Sequence, residues 1–112
     1  MLYKTYNVKE DNPTVELALA NLEIEIERCR SEGVLVLKVI HGYGSHGTGG
    51  EIKRNLERWL VVKKKQGFIK DFVKGTEWPT SIKAEKIKKY CPDVLGDMEL
   101  YFINPGYTLI VI

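Results

Sequence analysis

Cysteine is scarce in this chain of 112 residues: only Cys29 and Cys91 occur, too few for a multi-bridge disulfide framework. Histidine is as scarce, with His41 and His46, and the Cys/His spacing matches no zinc pattern, so no metal ligands are assigned. No apolar run approaches the ~18 residues of a membrane span. The opening segment Met1-Leu2-Tyr3-Lys4-Thr5-Tyr6 lacks the apolar core of a signal peptide, so a cytoplasmic protein with idle, reduced thiols is expected. Charge of one sign is also lacking overall, since the net charge is only +2. With 44% apolar residues the chain is expected to fold rather than stay disordered. Its length is that of one domain, residues 1–112.

The small net charge conceals an uneven distribution. Residues 1–32 carry seven acidic and four basic residues, whereas 51–74 carry eight basic against three acidic. Lys83, Lys86, Lys88 and Lys89 form a second basic cluster. Such patches attract polyanions, although a solvated helix face accounts for them equally well.

Residues 2–8 read as a strand. Asn12-Pro13 looks like a helix start, with Asn12 as cap, and Val15, Leu19, Leu22, Ile26 and Cys29 then trace one helical stripe ending at Gly33. Residues 34–40 are almost wholly apolar and valine-rich, as in a central strand of a parallel pair. Ile52, Leu56, Trp59, Leu60 and Lys63 mark a second helix ending near Gly67, and 68–73 read as a strand. A basic helix is expected from Ser81 to Tyr90 with Ile82, Ile87 and Tyr90 on one side, then strands at Met98–Ile103 and Tyr107–Ile112 around the turn signal Asn104-Pro105-Gly106. Strands alternating with helices imply an α/β fold with a mixed four-stranded sheet, in the order β-α-β-α-β-β with an irregular or helical basic insert at 76–97.

Half of the ten glycines fall in His41-Gly-Tyr-Gly-Ser-His-Gly-Thr-Gly-Gly50, between the buried strand and the second helix. Ligands of open α/β sheets bind there, at the carboxyl ends of strands. Glycine permits close backbone approach, and the free N–H groups opening the following helix suit a phosphate. Gly42, Tyr43, Gly44, Gly47, Thr48, Gly49 and Gly50 are therefore candidate phosphate-binding residues, with Lys53 and Arg54 in the helix's first turns positioning the backbone. Arg58 follows one turn later, and Tyr43 offers a ring for a base. His41 is the candidate acid/base. A bare strand-to-helix turn is the competing reading. The loop also matches G-x-G-x-x-G, but Asp71, the acidic residue nearest the spacing a dinucleotide site needs, lies in a basic strand. The Walker A pattern fails because Thr48 stands where lysine is required.

Leu37-Lys-Val-Ile-His41-Gly-Tyr-Gly44 followed by Gly47-Thr-Gly-Gly50 resembles the Smr (small MutS-related) domain, which carries His-Gly-x-Gly after its second strand and a Thr-Gly turn into a helix. Thr14-Val-Glu-Leu-Ala18 is similar to the family's first helix start, and Asn104-Pro-Gly-Tyr-Thr-Leu-Ile-Val111 to its closing strand. The resemblance implies a two-layer α/β sandwich similar to the C-terminal domain of translation initiation factor 3. It implies nucleic acid, DNA or RNA, as partner, no cofactor, and endonuclease activity in several members. The family's Asp-x-His motif at the end of the first strand is missing here: the region reads Tyr6-Asn-Val-Lys-Glu10-Asp11, where Glu10 or Asp11 supplies the nearest carboxylate. The expected function is thus a monomeric, nucleic-acid-binding protein with weak or absent nuclease activity. An active DNA-nicking or RNA-cleaving endonuclease and a small-molecule nucleotide or phosphate binder are the alternatives.

Overall fold

A computed structural model describes residues 2–43 and 47–112, with the side chains of 47–49 also outside the description. The elements run β1 (Tyr3–Asn7), α1 (Val15–Glu32), β2 (Val36–Ile40), α2 (Gly47–Lys65), β3 (Asp71–Lys74), α3 (Ile82–Tyr90) and β4 (Tyr107–Val111). Short 3-10 turns at Trp78–Thr80, Pro92–Gly96 and Met98–Tyr101 flank α3. The four strands form one mixed sheet in the order β1-β2-β4-β3. β2 pairs with β1 in parallel, as its apolar run predicts, and with β4 in antiparallel register. β3 pairs only with β4.

Both long helices end as the glycines foretell. At α1 the Gly33 and Val34 N–H groups return to the Arg30 and Cys29 carbonyls, with Gly33 at φ 78°. At α2 Gly67 and Phe68 do the same to Lys64 and Lys63, with Gly67 at φ 76°. Both are Schellman closures, which need a left-handed residue that glycine adopts without strain. Phe68 is therefore still committed to the helix end, so β3 begins at Asp71 rather than at 68.

Three further expectations are corrected. Asn12 does not cap α1: Asp11 and Asn12 both take left-handed φ (65° and 48°) in the turn leaving β1. The helix starts two residues later, where Thr14 Oγ1 accepts the Leu17 N–H at 3.2 Å. The segment expected as a strand at Met98–Ile103 is a 3-10 turn, because Asp97 caps it by accepting the Glu99 N–H at 3.1 Å and both central strands already have two partners. In α3 the buried side is set by Ala84 and Ile87, and Ile82 points to solvent.

The sheet is covered on both faces. Alternation along β2 sends Leu37 and Val39 towards α1 and α2, where they meet Leu22, Ile26, Ile52, Leu56 and Leu60. Val36 points the other way with Leu109 and Val111, against Trp78, Ala84, Ile87, Val94 and Leu100. Helices α1 and α2 cover one face and the segment around α3 covers the second, so the sheet is enclosed on both sides where the family resemblance implies two layers. Lys38, nearly buried on that face, pairs with Asp97 at 2.9 Å and with Glu99, and Tyr3 donates its hydroxyl to Asp97 at 2.6 Å. Charge pairing at this point pins the excursion between β3 and β4 onto the sheet.

Candidate phosphate-binding site

The site lies where β2 ends. The His41 and Gly42 N–H groups both donate to the Gly106 carbonyl, at 2.9 and 3.0 Å, which zips the end of β2 to the turn before β4. Gly106 N–H in turn reaches Asn104 Oδ1 at 2.7 Å. Gly42 sits at φ 73°, a conformation glycine adopts without strain, and a Cβ there would come 2.6 Å from Lys9 Nζ, the far end of a side chain that would have to swing away.

His41 is buried and both its ring nitrogens are engaged. Nδ1 lies 2.8 Å from the Gly42 carbonyl and Nε2 lies 3.0 Å from Thr108 Oγ1. A carbonyl only accepts, so Nδ1 carries the proton; in the neutral ring Nε2 then accepts from the Thr108 hydroxyl. Burial holds its pKa below the ordinary 6.5, and Lys53 and Lys9 push the same way against the Gly42 hydrogen bond and Glu57. The imidazole is thus a fixed, neutral group at pH 7.

His41 and Thr108 form one wall of a cavity of about 110 Å³ whose other walls include Lys53, Glu57, Lys74 and Thr76. Lys74 pairs with Glu57 at 3.7 Å, and Lys53 Nζ lies 3.4 Å from the Tyr43 carbonyl. Lys53 and Glu57, four residues apart on α2, share the face that looks into the cavity. Arg54 and Arg58 are exposed on the adjoining face and do not line it. Gly50 is buried in the first turns of α2. Gly44 and His46 lie outside the described residues, as do the side chains at Gly47, Thr48 and Gly49.

Glu10 and Asp11 are exposed, and no hydrogen bond or ion pair among the described residues ties either to His41. The residue that β1 sends towards the loop is Lys9, a cation. Lys74, Thr76 and Thr108 were not singled out in the sequence. Thr108 carried a signal all the same, as the one aliphatic hydroxyl inside the apolar strand Tyr107-Thr-Leu-Ile-Val111. No group of three or more His, Cys, Asp or Glu side chains among the described residues is placed to hold a metal ion.

A glycine-bearing segment between a central strand and a helix, with a second turn beside it and lysines around it, lies at the carboxyl end of β2, where ligands of open α/β sheets bind. The Smr domain model matches residues 12–78, from the approach to α1 through β3. That is more than half of the chain, and the protein belongs to the Smr domain family. No curated protein matches the chain, and no solved structure does.

Proposed function

We propose that residues 1–112 act as one nucleic-acid-binding domain that takes backbone phosphate at the His41–Gly50 loop and cleaves weakly or not at all. Smr membership points to nucleic acid, and the observation that carries the finer reading is the neutral, doubly bonded His41 beside Lys53 and Lys74. A phosphate at the cavity mouth would meet the Lys53 ammonium, the Lys74 ammonium in competition with its partner Glu57, and the start of α2, whose N–H groups favour an anion. The same geometry argues against efficient hydrolysis. A general acid/base needs a free nitrogen and a partner group, whereas both His41 nitrogens are spoken for, the family's Asp-x-His is missing from the sequence, and the residue after β1 that reaches the Gly42 turn is the cation Lys9.

The test is binding and cleavage of labelled single- and double-stranded RNA and DNA, with and without magnesium, by the wild type, His41→Ala and Lys53→Ala. Binding without cleavage is expected, falling steeply with salt. Lys53→Ala should weaken all ligands alike and flatten the log–log salt slope by about 1. Cleavage that disappears in His41→Ala would establish a nuclease and overturn the binding-only reading. A thermal shift with ATP and none with nucleic acid would move the site to free nucleotides.

A further inference from the structure

Beside the phosphate cavity the chain presents an unusual amount of apolar surface to water. Met98, Tyr101, Phe102 and Ile103 are 70%, 58%, 69% and 69% exposed. Only Leu100 of this stretch turns inward. The segment runs directly into Asn104–Gly106, the turn whose Gly106 carbonyl holds the end of β2. On the other side of that turn Tyr43 is 66% exposed, and its ring edge lies 3.6 Å from where a Gly106 Cβ would stand. Tyr43 also shares a groove of about 180 Å³ with Glu99, Asn104 and Gly106, residues that flank the exposed Tyr101–Ile103 stretch in the chain. The groove's carboxylate, Glu99, shares the Lys38 ammonium with Asp97, so the three groups together keep one net negative charge at the groove's edge. Lys53 touches the Tyr43 carbonyl, joining this surface to the phosphate cavity.

We propose that Tyr43 and Phe102, with Ile103 next to Phe102 in the chain, form a stacking surface for unpaired bases, so that the ligand of the site is a single strand. The inference rests on the phosphate-binding reading above and adds the ligand's form. A single strand offers a charged backbone and free base faces side by side, and this edge offers lysines and aromatic rings side by side. A continuous duplex keeps its base faces stacked internally and has no use for the rings.

The experiment is fluorescence anisotropy with the full chain, a short labelled single strand and the same strand in a duplex, at one salt concentration. The single strand should bind more tightly. Phe102→Ala should weaken it by roughly 5- to 150-fold, the range for losing one base–aromatic stack, and leave duplex binding unchanged. Phe102→Tyr and Tyr43→Phe should retain single-strand binding, whereas Phe102→Leu should behave like Phe102→Ala, because an apolar side chain without a ring cannot stack. Circular dichroism should show every variant folded, since these side chains face solvent. Equal affinity for both ligands with no effect of Phe102→Ala would overturn the stacking surface and leave the phosphate site standing. No binding of any nucleic acid by the wild type would overturn both. Self-association in sedimentation that Phe102→Ala abolishes, without any change in single-strand affinity, would give the surface to a second copy of the chain and overturn the proposal.

Discussion

His41 makes the site sensitive to acid. Its folded pKa lies below the unfolded value near 6.5, so the unfolded chain takes up the proton first as pH falls. Stability is therefore fully present above about pH 6.5 and declines below it until the folded pKa is reached. Asp71 and Asp97, whose pKa values are depressed and whose lysine partners are Lys64, Lys83 and Lys38, hold their contribution above about pH 4 and lose it only at lower pH. Thermal melts between pH 8 and pH 5 should show the His41 loss alone, and His41→Gln should flatten the curve over that window. Glycine matters at a different residue for a different reason. A Cβ on Gly75 would collide with the Asn104 carbonyl oxygen and crowd the Tyr107 ring at 3.0 Å, whereas one on Gly33 meets nothing within 4 Å and suffers only from φ 78°. Gly75→Ala should therefore lower stability by more than Gly33→Ala, by about 1–3 kcal/mol, measured by denaturant titration of the two variants.

Among elements, the excursion between β3 and β4 depends on a buried charge. Lys38 is almost without solvent, and Asp97 and Glu99 are its counter-ions. Truncating Asp97 leaves the nearly buried ammonium with Glu99 alone, at a cost below the about 3–5 kcal/mol of a buried charge stripped of every partner. Replacing Lys38 by Met removes the charge itself and leaves Asp97 with the Tyr3 hydroxyl and Glu99 with water. Asp97→Ala should thus destabilise by clearly more than Lys38→Met, read from chemical denaturation midpoints. The sequence displayed the elements on the helical face well, because Leu22, Ile26, Ile52, Leu56 and Leu60 recur at helical spacing and Gly33 and Gly67 mark the stops. It displayed the excursion poorly. The stretch Met98–Ile103 has the composition of a strand, and what prevents it from being one is tertiary: both central strands already have two partners, and Asp97 caps a tight turn instead. The partners of Lys38 were invisible for the same reason, since they arrive from far along the chain.

For the whole molecule, the candidate site was half legible. The strand, the glycine loop and the helix that carries Lys53 are contiguous in sequence, so His41, Gly42 and Lys53 stood out. Thr108, Lys74 and Asn104–Gly106 reach the same place only because β4 lies between β2 and β3, a fact of topology rather than of local pattern. The same topology closes the excursion at its base, where Gly75 N–H meets the Tyr107 carbonyl at 2.9 Å and Asn104 N–H meets the Gly75 carbonyl at 3.5 Å. Replacing residues 76–105 by a short hairpin turn would leave the β3–β4 ladder intact and uncover Val36, Val73, Leu109 and Val111. Such a variant should associate through its bare sheet face, seen as a concentration-dependent mass in sedimentation.

β4 joins β3 to the rest of the sheet, and this sets an order of events during synthesis. Among the described residues β3 has no neighbour other than β4, and β2 has one open side until β4 fills it. While the ribosome is still making residues before Tyr107, β1 and β2 are the only pair that can form, and β3 emerges with nothing to join. Every new molecule thus passes through a stage in which Val36–Ile40, a short apolar strand, carries an unpaired edge. Closing that edge requires contacts between residues far apart in the chain, which form slowly. The interval before β4 arrives is when this chain is most open to pairing with a neighbour, and when a chaperone would act on it.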